Sequence, residues 1–433
     1  MSTRDVSLHD KFDLDQNQIL LNGTQALVRL VMMQAARDKA AGLNTGGYVS
    51  GYRGSPLGAV DMQMARAQAE LDTAGVKFHP GLNEDLAATA IWGTQQAELR
   101  GEGTHDGVFA LWYGKGPGVD RSGDVMRHAN MAGTSRHGGV LMAMGDDHTG
   151  ESSTVCHQSD WALVDAYMPV LSPAGVQEIL DFGLYGYALS RFSGLWSGLK
   201  VMKDTVEVTS VVDGRLDRMS FVEPEFDMPE GGLNIRLGDH WIPQEARIID
   251  HKRFAAEAFS HANKLDRRMW GKPGAKIGFV AAGKNWLDLV HALGLLGIDA
   301  EEAQRLGITT YKVGQTFPLD MKGFNDWAEG LDLIVVVEEK RKLIEVQIKE
   351  AIFDDRRGRR VYGWRKGGPH AEELFPVRFA LDPAMIAEKI GDILIEEGRA
   401  TDRIKAGLET VQTALRADNA PDIAARLPYF CSG

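Results

Sequence analysis

Short apolar segments alternate with helix-like segments through most of the chain, and this alternation limits the folds that it can adopt. In the first half, the segments that are typical of strands read VKFH, VFALW, VLMAM, MPVLS and GLKVMKD. A helical pattern or a long crossing separates each from the next. Parallel strands need such crossings, and strands that helices cover on both faces are apolar throughout. The sequence therefore predicts an α/β protein with parallel sheets.

A second series of the same kind begins at AKIGFVAAGKNWLDL and continues through LDLIVVVEEK. Between the two series the periodic pattern weakens, and Pro, Gly and acidic residues accumulate. A chain of 433 residues is long enough for two or three domains. We predict a first domain over residues 1–245, a linker over 246–271, a second domain over 272–398 and a helical tail over 399–433.

The composition excludes several classes of protein. The formal net charge of −12 disfavours nucleic-acid binding, and the one basic run, Arg356–Arg360, follows two aspartates and is interpreted as a helix-end cap. Only two cysteines are present, Cys156 and Cys431, so a disulfide framework is excluded and a reducing cytoplasm is expected. Neither a secretory signal nor an apolar run of membrane-spanning length is found, so we expect no membrane partner.

The stretch from Tyr113 to Asp160 combines many glycines with ionisable side chains. Glycine costs chain entropy, so a polar and flexible segment of this length is typical of a binding site, although a solvated surface loop is the alternative. Within the stretch, VLMAMGDD is typical of a buried strand that ends in a polar turn. Open α/β sheets bind ligands at such strand ends.

Two earlier motifs also suggest a site. GYRGSP lies between a strand pattern and a helix pattern, which would place Ser55 beside a helix N-terminus that binds an anion. The alternative is that Ser55 is a simple N-cap with Pro56 at the first helical position. Glu84 opens the next helix pattern, where interaction with the helix dipole alone could account for it. The small residues 87–90 permit close packing, however, and a buried Glu with a raised pKa is a proton-transfer group.

Generic site motifs do not account for these residues. Asp146, Asp147 and His148 are adjacent rather than spaced on one helical face, and neither HExxH nor CxxC occurs, so we predict no metal site within the chain. The phosphate-loop motif that ends in GK[ST] is absent, and so is the GxSxG turn of the serine hydrolases.

Taken in order, GYRGSP, NEDLAATA, YGKGPGVDRSGDVMRHANMAGTS and GDDH resemble the N-terminal part of the fused-type indolepyruvate ferredoxin oxidoreductases. These enzymes belong to the thiamine-diphosphate-dependent 2-oxoacid:ferredoxin oxidoreductases. The resemblance implies a pyrimidine-binding domain followed by an α/β domain like the C-terminal domain of transketolase. It also implies oxidative decarboxylation of a 2-oxoacid such as indolepyruvate, with coenzyme A taking the acyl group and ferredoxin the electrons.

The resemblance assigns roles to individual residues. Glu84 matches the glutamate that hydrogen-bonds a ring nitrogen of the aminopyrimidine and so helps to generate the reactive carbon of the cofactor. Ser55 stands where related enzymes carry a hydroxyl group that contacts the 2-oxoacid, and we expect Arg121 and His128 to bind substrate as well. Further residues expected to contact the cofactor are Gly54, Asp146, Asp147 and His157.

One departure from the family affects what the chain is expected to do. In the fused enzymes PYFCSG leads into further cysteines and a domain that binds the pyrophosphate through magnesium, whereas this sequence ends at Gly433. Cys431 alone cannot hold an iron–sulfur cluster. We therefore expect magnesium and clusters only in a part supplied in cis or in trans, a homo-oligomer, and a chain that is inactive alone. The alternatives are a noncatalytic interaction subunit and a component like those of transketolase or the 2-oxoacid dehydrogenases.

Overall fold

The chain divides between Asn263 and Lys264 into two α/β units. The computed structural model describes residues 7–150 and 157–418. Residues 148–150 group with the second unit. Both cysteines and the PYFCSG segment lie outside the described residues, so the expectations that concern them stay predictions.

The first unit is built mainly on a parallel sheet whose strands follow the order β3-β2-β4-β5-β7-β6. A separate antiparallel pair joins β1 to β8. The elements, in chain order, are β1 (Gln18–Asn22), α1 (Gly23–Ala40), β2 (Thr45–Gly51), α2 (Val60–Arg66), α3 (Gln68–Thr73), β3 (Val76–Phe78), α4 (Glu84–Thr94), β4 (Gly107–Lys115), α5 (Gly116–Arg121), α6 (Gly123–Ala132), β5 (Val140–Asp146), α7 (Asp160–Asp165), β6 (Val170–Leu171), α8 (Val176–Ser193), β7 (Ser197–Met202), α9 (Lys203–Val206), β8 (Thr209–Asp213), α10 (Trp241–Arg247), a π-helix (Ile248–Lys252) and α11 (Arg253–Asn263).

The strand order contains a reversal of the kind at which open parallel sheets bind ligands. From β2 the chain moves outward to β3, and it then returns to the other side of β2 to form β4 and continues to β5. The carboxyl ends of β2 and β4 therefore flank a topological switch point, where open parallel sheets form their ligand crevice. The turns that follow these two strands carry GYRGSP and GKGPG.

The sheet of the first unit is covered on both faces, as the apolar strand patterns predicted. Every residue of β5 is buried. In β4, all residues except Val108 and Lys115 are buried. Helices α1 and α8 pack together, and Gly183 permits their approach because a Cβ at that position would lie 2.3 Å from a methyl group of Leu30. The predicted parallel α/β architecture is thus confirmed for this unit.

The apolar spacing over residues 19–42 is typical of a helix, with Asn22 and Thr24 as possible caps, but α1 begins only after a short strand. Residues 18–22 form β1, and Asn22 then caps α1 through its side chain, which accepts a hydrogen bond from the Gln25 amide at 2.9 Å. The Gln25 side chain accepts in return from the Asn22 amide, which completes a capping box. Strand pairing with β8, a contact distant in sequence, accounts for the difference.

The predicted linker over residues 246–271 is largely helical. The π-helix and α11 pack with the first unit, and α11 lies against α8. Lys252, at the end of the π-helix, is completely buried, and its Nζ donates to the carbonyl oxygens of Asn130, Met131 and Gly194 at 3.1–3.4 Å. This lysine therefore holds the C-terminal ends of α6 and α8, where helix carbonyls lack partners of their own.

The second unit contains a smaller sheet in the order β14-β13-β10-β11-β9, in which β9 alone runs antiparallel to its neighbour. Its elements are β9 (Arg267–Arg268), β10 (Ile277–Ala282), α12 (Gly283–Leu295), α13 (Ala300–Arg305), β11 (Ile308–Val313), β12 (Gln315–Phe317), α14 (Met321–Ala328), β13 (Leu333–Val337), α15 (Ile344–Ile352), β14 (Arg360–Tyr362), α16 (Pro383–Glu396) and α17 (Asp402–Asp418). Among the described helices of both units, none combines the length and apolar character that crossing a membrane requires.

Candidate functional site

The turn GYRGSP lies against the carboxyl ends of β4 and β5. Gly54 packs on the side chain of Lys115, since a Cβ at position 54 would lie 2.8 Å from Lys115 Cδ. Gly145, near the end of β5, leaves room for Pro56 and Leu57, each 2.9 Å from where its Cβ would stand. The turn that follows β2 is thereby fixed beside the turn that follows β4.

The structure corrects the interpretation of Ser55. Helix α2 begins at Val60, so Ser55 does not cap it and does not stand at its N-terminus. Ser55 is exposed in an irregular turn, and its peptide bond to Pro56 is cis. The sequence could not show this because a Ser-Pro pair before an apolar helix pattern is compatible with both arrangements.

Glu84 opens helix α4, and its side chain is buried, with only 7% of the residue exposed. Asn83 caps the helix by accepting a hydrogen bond from the Leu86 amide at 2.8 Å, which fixes where the helix starts. The Glu84 carbonyl accepts from Trp112 Nε1 at 3.1 Å, which ties this turn to β4. Among the described residues, the carboxylate itself receives no hydrogen bond.

The first turn of α5 leaves space for this carboxylate only because it contains glycine. A Cβ at Gly118 would lie 2.5 Å from Glu84 Cγ and 2.6 Å from Glu84 Oε1. The Glu84 side chain therefore lies directly against the backbone that follows β4, at the switch point of the sheet. The carboxylate oxygens are not among the fully enclosed polar atoms that lack a partner, so they can be reached by a ligand that donates a hydrogen bond.

A second polar group surrounds His157, also next to α5. A Cβ at Gly116 would lie 2.3 Å from His157 Nδ1, so the imidazole packs on this glycine. His157 Nε2 pairs with Asp120 at 2.8 Å, and Nδ1 lies 3.7 Å from Asp146 Oδ1. Asp146 is completely buried at the end of β5 and accepts from the amide of Ser159 at 2.9 Å and from its hydroxyl at 2.5 Å.

These contacts favour the charged form of His157. Burial alone would lower its pKa, but the hydrogen bonds and charges of Asp146 and Asp120 outweigh burial and hold the pKa above its usual value. The imidazolium then balances two carboxylates at the edge of the crevice. His157 therefore lies beside the same glycine-containing turn that contacts Glu84.

Sequence reasoning did not single out Lys200, which also belongs to this group. Its ammonium lies 2.8 Å from Asp160 and 4.0 Å from the buried Asp146. The signal was a lysine inside the otherwise apolar strand segment GLKVM, because a charged residue in a buried strand needs partners nearby. Lys200 sits on β7, which pairs with β5, so strand pairing brings it to Asp146.

The remaining predicted residues are placed less closely together. Asp147 is buried directly after β5. Arg121 and His128 are exposed on α5 and α6, and His128 stacks on Trp92 with ring centroids 6.2 Å apart. Their substrate-binding roles stay predictions. Among the described residues, His, Cys, Asp and Glu side chains nowhere gather in groups of three that could hold a metal ion.

Replacement of Asp120 by asparagine is expected to lower the pKa of His157, because one of the two carboxylates that favour the imidazolium is removed. The folded pKa lies above the unfolded one, so the charged His157 stabilises the fold below about pH 6.5. That stabilisation is lost as the pH rises through the folded pKa. An NMR titration of the imidazole in both chains measures the change.

The matched control for this titration is Asp124→Asn. Asp124 contacts His128 rather than His157, at 3.7 Å. In the Asp124→Asn chain, the pKa of His157 should be the same as in the native chain. An identical titration in the Asp120→Asn chain would contradict the ion pair.

The overall fold has a counterpart among solved structures. The chain resembles the 2-oxoglutarate:ferredoxin oxidoreductase of Magnetococcus marinus, a structure with 2-oxoglutarate, coenzyme A and succinyl-CoA bound, with a TM-score of 0.59 over 87% of this chain and 65% of that one. Identity is 14%, so this likeness concerns the fold. The chain thus has the α/β fold of a 2-oxoacid:ferredoxin oxidoreductase.

Sequence comparison identifies the relationship more narrowly. Residues 267–418 match the indolepyruvate oxidoreductase domain. The chain is 26% identical to subunit IorA of the indolepyruvate oxidoreductase of Pyrococcus abyssi over 81% of its length and 49% of that protein. It is 22% identical to IorA of Methanothermobacter thermautotrophicus over 96% of its length and 59% of that protein. The chain is related to the IorA subunits of indolepyruvate oxidoreductase, and the predicted family resemblance is confirmed.

The IorA relatives are longer than the part of them that this chain matches. The chain spans about half the length of the Pyrococcus abyssi IorA subunit, at 49%, and somewhat more of the Methanothermobacter thermautotrophicus one, at 59%. Activity, substrates and partners of a complete enzyme are therefore assigned to this chain only as a proposal.

Proposed function

We propose that this chain supplies the aminopyrimidine-binding part of an indolepyruvate-type 2-oxoacid:ferredoxin oxidoreductase. The observation that carries the proposal is the buried Glu84 carboxylate, which lies against Gly118 and accepts no hydrogen bond from the described residues. A ring nitrogen that shares a proton with this carboxylate would satisfy it. The relationship to the IorA subunits supports the same assignment.

The residues present fit thiamine diphosphate at this edge of the sheet. Glu84 would hold a proton at the pyrimidine ring nitrogen, and glycines 116 and 118 leave the room in which the side chains of His157 and Glu84 lie against α5. When bound, thiamine diphosphate supplies the electron sink that a 2-oxoacid needs in order to lose carbon dioxide. Asp146 and His157 would provide a polar, charge-balanced wall of the crevice, with Gly54 and Asp147 beside it.

The substrate side of the proposal concerns three residues that lie outside the buried cluster. Ser55, on the turn beside β4, would contact the 2-oxoacid, and the cationic Arg121 and the imidazole of His128 would attract its carboxylate. Their exposure suits groups that act on a ligand arriving from solvent. The complete reaction would also involve coenzyme A, ferredoxin and a domain that binds the pyrophosphate with magnesium.

The experiment is a turnover assay of the assembly that purifies with the full chain. Indolepyruvate, phenylpyruvate, pyruvate and 2-oxoglutarate are each supplied with coenzyme A, thiamine diphosphate, magnesium and an oxidised viologen dye. We expect dye reduction that depends on thiamine diphosphate and is fastest with the aryl substrates. Reduction that is indifferent to thiamine diphosphate would refute the cofactor assignment, and a preference for 2-oxoglutarate would refute the substrate class.

A further inference from the structure

A cavity of about 340 Å³ opens in the second unit, and its lining includes Arg356 of the basic run. The end of α15 and strand β14 form its apolar floor through Ile352 and Val361, which are buried. Four cationic side chains line the cavity: Lys342, Lys349, Arg356 and Arg365. Among the described residues of the lining, Glu345 alone is acidic. The volume lies within the range of small-molecule sites.

The single acidic group is already neutralised. Glu345 is buried. Its carboxylate accepts hydrogen bonds from Lys349 Nζ at 2.5 Å and from the backbone amide of Trp364 at 2.9 Å. One cation and the one anion therefore cancel. Three positive charges remain on Lys342, Arg356 and Arg365.

These three cations pair with no carboxylate of the described residues. Arg356 Nε donates to the carbonyl of Arg359 at 2.8 Å, and Arg365 donates to the carbonyl of Ala371 at 2.7 Å. Lys342 and Arg365 both lie over the ring of Trp364, at 5.0 and 4.5 Å from its centroid. Two cations held over one ring repel each other, and a bound anion would relieve that repulsion.

One aromatic side chain of the lining is turned to solvent. Phe353, directly after α15, is 79% exposed although it borders the cavity. An exposed phenyl ring is unfavourably hydrated, and it offers a surface on which a planar base can stack. Cations for phosphate groups and a ring for a base therefore occur in one cavity.

We propose that this cavity binds a phosphate ester that carries a planar ring, a ligand of the nucleoside diphosphate type. The phosphates would lie among Lys342, Arg356 and Arg365, and the ring would lie on Phe353. A concave cavity with a buried apolar floor suits a small ligand better than the flatter surface of a protein partner. The site is independent of Glu84 and of the proposed reaction.

The test is calorimetric titration of the full chain with ADP, adenosine and inorganic pyrophosphate. We expect ADP to bind and adenosine not to bind. The variant Lys342→Ala/Arg356→Ala should weaken ADP binding by about tenfold or more, because charge-assisted hydrogen bonds to phosphate are lost. The charge-matched control is Lys322→Ala/Lys405→Ala, which removes two exposed lysines that pair with Asp326 and Asp402.

A second variant keeps the test decisive if the double substitution disturbs folding. Phe353→Ala alters an exposed side chain, so the fold should not change, and it should weaken ADP binding about five- to tenfold while pyrophosphate binding is unaffected. Glu84→Gln should leave ADP binding unchanged, which separates this site from the proposed thiamine diphosphate site. The proposal is overturned if ADP binds the Lys342/Arg356 variant as tightly as the native chain. It is equally overturned if pyrophosphate binds as well as ADP, or if only an acidic peptide binds.

Discussion

Replacement of Glu84 by glutamine is expected to lower the turnover number of the assembled enzyme by roughly 10²- to 10⁴-fold, the range that a positioned proton-transfer group contributes. Glutamine has almost the shape of glutamate, so it still fits against Gly118. It cannot share a proton with a ring nitrogen in the same way. The measurement is the rate of dye reduction with indolepyruvate at saturating thiamine diphosphate.

The matched control for this experiment is Asp85→Asn. Asp85 is the next residue in the first turn of α4 and carries the same charge, but it is only half-buried. It should retain most of the activity. Thiamine diphosphate should still bind the Glu84→Gln assembly within a few-fold of the native affinity, since the diphosphate contacts are unaffected. Undiminished turnover of the Glu84→Gln assembly would favour a noncatalytic interaction subunit instead.

Replacement of Lys252 by methionine is expected to lower the free energy of unfolding by about 2 to 4 kcal/mol. Methionine has a similar volume, so the change chiefly removes the donor that serves the carbonyls of Asn130, Met131 and Gly194. These carbonyls are the orphan acceptors at the ends of α6 and α8. Urea unfolding followed by circular dichroism measures the loss.

The effect of Lys252 should also depend on pH in a defined direction. Burial, followed by repulsion from Arg247, lowers the pKa of Lys252 from 10.5 to about 7. Between these values the unfolded chain binds a proton that the folded chain does not bind, so this group stabilises the fold increasingly as the pH rises from about 7 to about 10. The same contribution is lost as the pH falls from about 10 to about 7, and below about 7 it changes no further because both states bind the proton.

The exposed Lys322 provides the comparison for both measurements on Lys252. Its ammonium pairs with Asp326 at 3.2 Å in solvent. Lys322→Met should change the free energy of unfolding by no more than about 0.5 kcal/mol at any of these pH values. A Lys252→Met chain that matches this control would show that the helix ends do not depend on the buried amino group.

Much of the first unit could be predicted because its strands carry local signals. VFALW and VLMAM became β4 and β5, and LIVVV became β13 in the second unit, since buried parallel strands are apolar without interruption. The segment around Ile19 was different, because β1 exists through its pairing with β8, some 190 residues later in the chain. No short segment of the sequence around Ile19 contains β8, so a local pattern cannot indicate the pairing.

The candidate site also has features that local sequence patterns indicate and features that they do not. Glu84 could be placed in the first turn of a helix from the sequence, because the helix pattern with its small residues 87–90 is a local signal. The contact of Glu84 with Gly118 and that of Lys200 with Asp160 depend on strand order, which local patterns do not specify. The basic run at 356–360 was interpreted as a helix-end cap, yet α15 ends at Ile352 and Arg356 lines a cavity instead.

The close approach of Gly118 to Glu84 couples two positions that lie 34 residues apart in the sequence. While a carboxylate occupies position 84, a larger residue at position 118 would displace it. Once that carboxylate is lost during evolution, the restriction disappears and mutations at 118 can accumulate. Glycine at 118 across a set of homologues would therefore mark the copies that keep the acid, and its drift would mark those released from selection for turnover.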